Sequence, residues 1–232
     1  MTTWTVPKMW ESGDAWIIGG GPSMPRQFGV PEDTIQDVCS GKQFPAAYSP
    51  FLEPIHNKHV IGVNNAYQIG TWIDAVFFGD SSWYLKHRDS LAMWPGIKVS
   101  CAPRFGNLPQ KKMEGIKFLM KDPQHTKGVT SRLRKVSWNS NSGAAAMNLA
   151  SHFGAKRLFL LGFDMMKMGK LTHWHGSHGN NRQKQLTYRR HLKGFPIIAQ
   201  DMKAMGVEIF NVNPNGRIDD FPKITLEEAL KT

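Results

Sequence analysis

Several short apolar runs in this chain stop at a small or polar residue. The first, residues 15–18, enters the glycine turn that begins at Gly19. Comparable runs are His59–Val63 before Asn64, Ala75–Phe78 before Gly79, and Arg157–Leu161 before Gly162. Parallel sheets bury their strands on both faces, so such strands appear as continuous apolar runs. The pattern predicts an α/β fold whose ligand site lies beyond the carboxyl ends of the strands.

Helical segments are expected between these runs. Ser142 is a suitable N-cap and the alanines that follow favour helix, so a helix is predicted from Ser142 to Gly154. Residues 183–205 predict one helix or two, and Thr225 with a glutamate three residues later predicts a capped C-terminal helix. Further strands are expected at 98–102, 116–119 and 207–212.

Composition indicates one folded domain. The 232 residues are 41% apolar and 20% charged, which excludes a disordered chain. We predict a single α/β domain over residues 1–232 with a mostly parallel sheet. No apolar run is long enough to span a membrane, and the first ten residues do not resemble a signal peptide. A cytoplasmic location is therefore expected.

The positive charge is concentrated in the middle of the chain. The formal net charge is +11, yet residues 1–110 carry eight basic and nine acidic side chains, and residues 194–232 carry four and six. Residues 111–135 carry eight basic side chains against two acidic ones, and residues 156–193 carry nine against one. This excess is either an ordinary solvated surface or a field that attracts phosphate or a polyanion.

Residues at the predicted strand ends form a candidate nucleotide site. Glycines let backbone approach a phosphate, asparagine can both donate to and accept from a ribose or base, and a helix N-terminus offers free amides. The glycine turn is neither a dinucleotide fingerprint nor a P-loop, and each residue alone also fits a turn or capping role. The candidates are Gly19, Gly20, Gly21, Pro22, Ser23, Asn64, Asn65, Asp80, Ser142, Gly143 and Asn213.

Catalytic candidates come mainly from a histidine-rich stretch, residues 172–182. Neutral imidazole accepts a proton near neutral pH, so His175 and His178 are candidate general bases, with a zinc site or solvated loop histidines as alternatives. Asp164 is a further catalytic candidate, and Asp80 is a candidate ligand for Mg²⁺. The candidate contacts to phosphate or to an acceptor are Arg182, Lys184, Arg189 and Arg190.

The order of the motifs also points to a known family. The series is Ile17-Ile18-Gly19-Gly20-Gly21-Pro22-Ser23, Gly62-Val63-Asn64, Ala75–Phe78, Ser142-Gly143, Leu160-Leu161-Gly162-Phe163-Asp164 and Asn213-Pro214-Asn215. It resembles the bacterial sialyltransferases that use a CMP-sugar and covers most of the chain. The same series of motifs also resembles phage and microbial proteins related to the archaeal 6-hydroxymethylpterin diphosphokinase.

The sialyltransferase resemblance implies a single Rossmann-like, doubly wound domain over residues 1–232 with a small lid segment at about 165–194. It also implies a role for each matching residue. His178 matches the lid histidine that deprotonates the acceptor hydroxyl in that family. Asn64 would contact the nucleotide, and Ser142 with Gly143 would present helix amides to it. The residues implied to line the donor phosphate are Gly19, Gly21 and Ser23.

The chain departs from the family pattern at three positions. Gly20 and the pair Gly79-Asp80 stand where the family has asparagines, and Asn139 stands where it has a catalytic arginine. Asp80 is closer to the diphosphokinase-like branch, which transfers pyrophosphate from a nucleotide to a hydroxymethyl group and is expected to use Mg²⁺. A non-catalytic nucleotide-binding phage module is a third interpretation, and either phage interpretation would place the protein in the host cytoplasm.

We predict a nucleotide-sugar-dependent glycosyltransferase, because the lid histidine suits transfer to a hydroxyl. The two basic segments predict a polyanionic acceptor, either DNA with a modified base or an acidic surface glycan. Trp138 and Trp174 are candidate stacking surfaces for a base or a sugar.

Retention on immobilised duplex DNA tests the nucleic-acid version of this prediction. We expect retention at low ionic strength that falls steeply between about 50 and 200 mM salt, because bound lysines and arginines displace condensed counterions. Column retention of the purified protein measures the effect. No retention at low ionic strength would leave only the acidic glycan.

Overall fold

The computed structural model describes residues 3–102, 115–176 and 184–232, with backbone alone for residues 184–186. Nine strands are present in these ranges. They are β1 (Asp14–Ile18), β2 (His59–Val63), β3 (Ala75–Phe78), β4 (Ile97–Ser100), β5 (Ile116–Phe118), β6 (Met120–Lys121), β7 (Lys135–Val136), β8 (Arg157–Leu161) and β9 (Glu208–Asn211).

Helices cover both faces of the sheet formed by most of these strands. The α-helices are α1 (Ser23–Gln27), α2 (Glu32–Ser40), α3 (Ser81–Met93), α4 (Ser142–Phe153), α5 (Lys184–Leu192), α6 (Phe195–Ala204) and α7 (Leu226–Lys231). Two 3₁₀ segments, Pro45–Ile55 and Asn64–Ile69, lie in the first half of the chain. No helix within the described ranges is long and apolar enough to cross a membrane.

Seven strands form one parallel sheet in the order β5-β4-β3-β2-β1-β8-β9. The predicted α/β, doubly wound, parallel architecture is therefore confirmed. From β1, the chain first adds strands β2 to β5 on one side of the sheet and later adds β8 and β9 on the other side, so the strand order reverses between β1 and β8. These two strands are parallel, with Asp14 beside Arg157 and Ile18 beside Leu161. Doubly wound sheets bind ligands at such a switch point, beyond the carboxyl ends of the strands. In this chain that point lies between Gly19 and Gly162.

Alternation along β1 divides the core into two layers. Ala15 and Ile17 belong to the cluster that includes the buried alanines of α4, whereas Trp16 and Ile18 belong to the cluster on the opposite face. Alanine side chains are short, so α4 can approach the sheet closely. The N-terminus of α4 lies beside the switch point, since a Cβ at Gly143 would meet the Phe163 ring at 2.7 Å.

Most element boundaries follow the sequence predictions, with one correction. Asn141, not Ser142, caps α4, because the Asn141 side chain accepts from the amides of Gly143 and Ala144. Residues 183–205 form two helices, and the predicted capping box of Thr225 and Glu228 is present. The small parallel pair of β6 and β7 was not predicted, because two-residue strands carry no periodicity. The single domain and the lid segment remain predictions.

The glycine turn after β1 packs directly on the turn after β8. A Cβ at Gly21 would lie 2.5 Å from the Gly162 carbonyl oxygen and 2.6 Å from Asp164 Oδ2. Gly162 itself has φ of +67°, and a Cβ there would meet the Gly21 backbone at 3.1 Å. Glycine is therefore required on both sides of the switch point by the close approach of two backbones.

Replacement of Gly21 by alanine tests this packing. We expect Gly21→Ala to lower the free energy of unfolding by about 1–3 kcal/mol, because the two turns must separate. Gly13→Ala is the matched control, since a Cβ there would meet only ordinary contacts at 3.4 Å and beyond. Urea denaturation of both variants measures the difference. Equal stabilities would show that the turns are free to separate.

Candidate active site

A cavity of about 600 Å³ opens at the carboxyl edge of the sheet, at the β1/β8 switch point. It brings together residues from seven separate parts of the chain, and these include the strand ends that the sequence pattern predicted. The predicted site residues that line it are Gly19, Gly20, Gly21, Asn64, Asp80, Ser142, Gly143, Asp164, His175 and Arg190.

Other predicted residues lie outside the cavity wall. Pro22 is the N-cap of α1, and Arg189 is exposed on α5 without lining the cavity. Asn65 is buried, and its Oδ1 accepts from Trp83 Nε1 at 2.7 Å. His178 and Arg182 fall outside the described residues, and the side chain of Lys184 is likewise not described.

Asp164 lines the cavity, is almost fully buried and accepts hydrogen bonds from two other segments of the chain. Its Oδ2 accepts from the Ser23 amide at 2.9 Å, and its Oδ1 accepts from the Ser23 hydroxyl and from Asn213 Nδ2 at 2.7 Å. Burial raises the pKa of the Asp164 carboxyl, while the Ser23 and Asn213 donors oppose that rise. Ser23 and Asn213 tie the start of α1 and the segment after β9 to Asp164, and their contact with a nucleotide stays a prediction.

The amides of the glycine turn are largely occupied within the protein. The Gly19 amide donates to the Leu161 carbonyl at 2.7 Å, and the Gly21 amide donates to the Gly162 carbonyl at 2.8 Å. A phosphate beside this turn would therefore not be held by those two amides. Gly19 and Gly21 line the cavity, but their shared role is to pack β1 against β8.

Trp174 anchors the histidine-rich stretch to the same turn. Its indole Nε1 donates to the Gly19 carbonyl at 2.7 Å, and its amide donates to the Gly20 carbonyl at 3.1 Å. The side chain is fully buried. The suggestion that Trp174 stacks on a ligand is therefore wrong, because its ring has no exposed face. Trp138, the other candidate, does line the cavity.

Two amide side chains leave buried polar atoms unpaired at the cavity. Asn141 uses its Oδ1 to cap α4, so the Gly143 amide is not available to a ligand, whereas Asn141 Nδ2 has no hydrogen-bond partner within the described residues. The Oδ1 of Asn64 is equally without one. Buried polar atoms are nearly always satisfied. One unpaired donor and one unpaired acceptor therefore mark where the polar groups of a ligand are expected.

Backbone strain is concentrated at the same place. Asn64, Ser140 and Met165 line the cavity and have φ of 52°, 51° and 52°, in the left-handed region that disfavours non-glycine residues. Asn139 adjoins them with φ of 52°. Its side chain bonds the backbone of Gly128 and Ser137, so it braces this loop. Strain of this kind collects at functional sites.

Three histidines face the cavity from residues 172–192. His173 and His175 have ring centroids 5.2 Å apart, and His191 lies on α5. Burial, together with the charge of Arg190, lowers the pKa of His191, so its imidazole stays neutral at neutral pH. His173 and His191 were not among the predicted residues. A signal for His191 was present, because it follows Tyr188 by three residues and Thr187 by four, which places the three side chains on one face of a helix.

The predicted metal ligand Asp80 lines the cavity. Within the described ranges, no three side chains of histidine, cysteine, aspartate or glutamate come together as a metal-holding group.

No protein family and no curated protein sequence matches this chain. Among solved structures it is similar to the sialyltransferase CstII from Campylobacter jejuni in complex with cytidine-5'-monophosphate. The TM-score is 0.46 at 13% identity, over 91% of this chain and 84% of CstII. The CstII complex with CMP-3FNeuAc is similar with a TM-score of 0.47 at 14% identity, over 91% of this chain and 86% of CstII. The activity proposed below rests on the contacts of this chain's own cavity.

Substitution of Asn64 separates its backbone role from its side-chain role. Asn64→Gly relieves the left-handed strain, so the free energy of unfolding should be unchanged or slightly higher. Asn64→Ala should lower the free energy of unfolding by about 1 kcal/mol. Both variants lack Oδ1, so both should bind a nucleotide ligand about tenfold more weakly. Denaturation and calorimetric titration measure the two effects. Wild-type affinity in Asn64→Gly would show that Oδ1 does not contact the ligand.

Proposed function

We propose that this protein is a nucleotide-sugar-dependent glycosyltransferase that binds its donor in the cavity at the β1/β8 switch point. One observation carries the proposal. Asn64 and Asn141 line a cavity that three histidines also line, and each has one buried side-chain polar atom, Asn64 Oδ1 and Asn141 Nδ2, with no hydrogen-bond partner within the described residues. That cavity offers both recognition of a polar ligand and a group able to accept a proton.

The polar wall supports binding of the donor. Asn141 Nδ2 can donate to a phosphate or hydroxyl oxygen, and Asn64 Oδ1 can accept from a ribose hydroxyl or an exocyclic amine. Arg190 lines the cavity from α5, and its positive charge can stabilise the phosphate of the departing nucleotide. Asp164 holds the turn beneath the donor, since each of its oxygens already accepts a hydrogen bond. Its role here is to position that turn.

The chemical step is transfer of the sugar to a hydroxyl. The acceptor oxygen forms a bond to the anomeric carbon while the bond from that carbon to the phosphate oxygen breaks. The electron pair leaves with the nucleotide, and the proton of the acceptor passes to an imidazole. His178 holds this role by family resemblance, and His173 and His175 are the described histidines of the same stretch that line the cavity.

The surface beside the cavity supports an anionic acceptor. Lys167 and Lys193 are exposed and Arg190 lines the cavity, and none of them forms an ion pair within the described ranges. Cations elsewhere are often neutralised, such as Arg26 by Glu32 and Arg157 by Asp14. The unpaired charge would attract a DNA or acidic glycan strand toward the histidines.

A panel of nucleotides tests the proposal against its competitors. We expect the melting temperature to rise with at least one of CMP, UDP or GDP and their sugar conjugates, because a ligand that binds only the folded state stabilises it. A shift that needs ATP or GTP together with Mg²⁺ would favour the diphosphokinase-like reaction. Binding of nucleotides without turnover of any sugar conjugate would favour a non-catalytic module.

Removal of single histidines locates the base. With the nucleotide sugar that binds, we expect His178→Ala to reduce turnover at least a hundredfold while donor affinity changes little, because general base catalysis contributes about 10²–10⁴ in rate. His173→Ala and His175→Ala are measured in parallel, and His125→Ala, on the exposed surface away from the cavity, is the matched control. Full turnover in His178→Ala would make that assignment wrong.

A further inference from the structure

We propose that the Asp80 and Trp138 end of the cavity is a subsite for a neutral, hydroxyl-rich sugar, and that it disfavours sugars carrying a carboxylate. This inference rests on the proposed function, since it names the class of donor sugar that the same cavity takes. It is carried by the unused carboxylate of Asp80 beside an indole ring fixed in the cavity wall.

Asp80 occupies a helix N-cap without capping the helix. Aspartate at this position normally accepts from an amide of the first turn, yet the Asp80 side chain makes no such bond to α3. Within the described ranges it has no ion pair or hydrogen bond, and it lines the cavity. A carboxylate is an acceptor only. Its oxygens are therefore available to hydroxyl groups of a ligand.

Trp138 supplies a rigid aromatic surface next to this carboxylate. Its six-membered ring occupies the space that a Cβ of Gly79 would need, so the residue before Asp80 must be glycine. The Lys121 ammonium lies 4.2 Å from the ring centroid and covers one face of the indole. The ring also lines the cavity. An indole held in this way can contact the apolar C–H face of a pyranose, while hydroxyls reach Asp80.

The subsite lies within reach of a donor bound at the switch point. β3 is two strands away from β1 in the sheet, a separation of about 10 Å at the usual strand spacing. Asn64, at the end of the intervening β2, adds an unpaired acceptor between the two. A hydroxyl-rich sugar supplies donors for both oxygens. A sugar carboxylate would instead place a second anion beside Asp80. Asp80 is exposed and the Lys121 ammonium lies over the neighbouring Trp138 ring, so solvent and this cation reduce the repulsion, and the preference for a neutral sugar rests mainly on the hydrogen bonds that its hydroxyls donate to Asp80.

Matched donors test the charge preference directly. The probes are UDP, UDP-glucose and UDP-glucuronic acid, GDP, GDP-mannose and GDP-mannuronic acid, and CMP with CMP-sialic acid. If UDP or GDP binds, we expect its neutral conjugate to have at least tenfold higher affinity than its acidic one in calorimetric titration, and if CMP binds, we expect CMP-sialic acid to bind no more tightly than CMP. Tighter binding of an acidic conjugate would overturn the inference while the proposed function stands. Absence of binding by every nucleotide would overturn both.

Variants of Asp80 assign the preference to this carboxylate. Asp80→Asn keeps the shape of the side chain. We expect its affinity for the neutral conjugate to be about tenfold lower than that of the wild type, its affinity for the acidic conjugate to be higher, and its affinity for the bare nucleotide to stay within twofold. Asp89→Asn removes the same charge from α3 at a fully exposed position and should change none of these values. Unchanged selectivity in Asp80→Asn would contradict the inference.

Two further measurements separate a sugar subsite from other roles. Trp138→Phe should retain most of the preference for the neutral sugar, whereas Trp138→Ala should lose it, because only the former keeps a ring. If Mg²⁺ strengthened nucleotide binding in the wild type but not in Asp80→Asn, the carboxylate would be a metal ligand. That result would overturn the sugar assignment.

Discussion

The contact between the turns after β1 and β8 is the constraint on which the rest of the structure depends. Gly21 and Gly162 let the two backbones meet, and Asp164 then bonds both Ser23 and Asn213. Three segments far apart in sequence are thereby joined at one edge of the sheet. Trp174 is bound to the same turn through the Gly19 and Gly20 carbonyls, so the histidine-rich stretch is placed above the switch point.

Several features at this edge of the sheet lower the stability of the folded protein. Asn64 and Asn141 keep buried polar atoms without partners, and Asn64, Ser140 and Met165 hold left-handed backbones. Each of these features opposes stability by an amount on the order of 1 kcal/mol. Comparable features occur elsewhere, such as the two side-chain atoms of Asn211 that are unpaired within the described residues, but these four residues all line one cavity. A ligand that supplied the missing hydrogen bonds would recover part of this free energy on binding.

The polar and charged groups of the site come from two sides. Asp80 and Asn64 lie at the ends of β3 and β2, and Arg190 and the histidines come from residues 172–192. Positive charge is present on both sides, because the Lys121 ammonium lies 4.2 Å from the Trp138 ring centroid beside Asp80. The Asp80 side therefore combines an anion, a cation and an aromatic ring, whereas the other side combines imidazoles with a guanidinium.

Local sequence determined the parallel α/β sheet and the polar edge, because apolar runs of four or five residues that end in Gly, Asn or Asp have few other stable arrangements. It also determined which strand ends meet, so Gly19, Asn64, Asp80 and Asp164 were correctly placed at one cavity. Only the tertiary structure decided what each residue does there. Ser23, Asn65 and Asn213 are bonded within the protein, Trp174 is buried, and Asn141 caps α4 in place of Ser142. A hydrogen bond depends on which partner is within about 3 Å, and the partners of Asn65, Asn213, Ser23 and Trp174 lie 18, 49, 141 and 155 residues away, too far to leave a periodic signal in the chain.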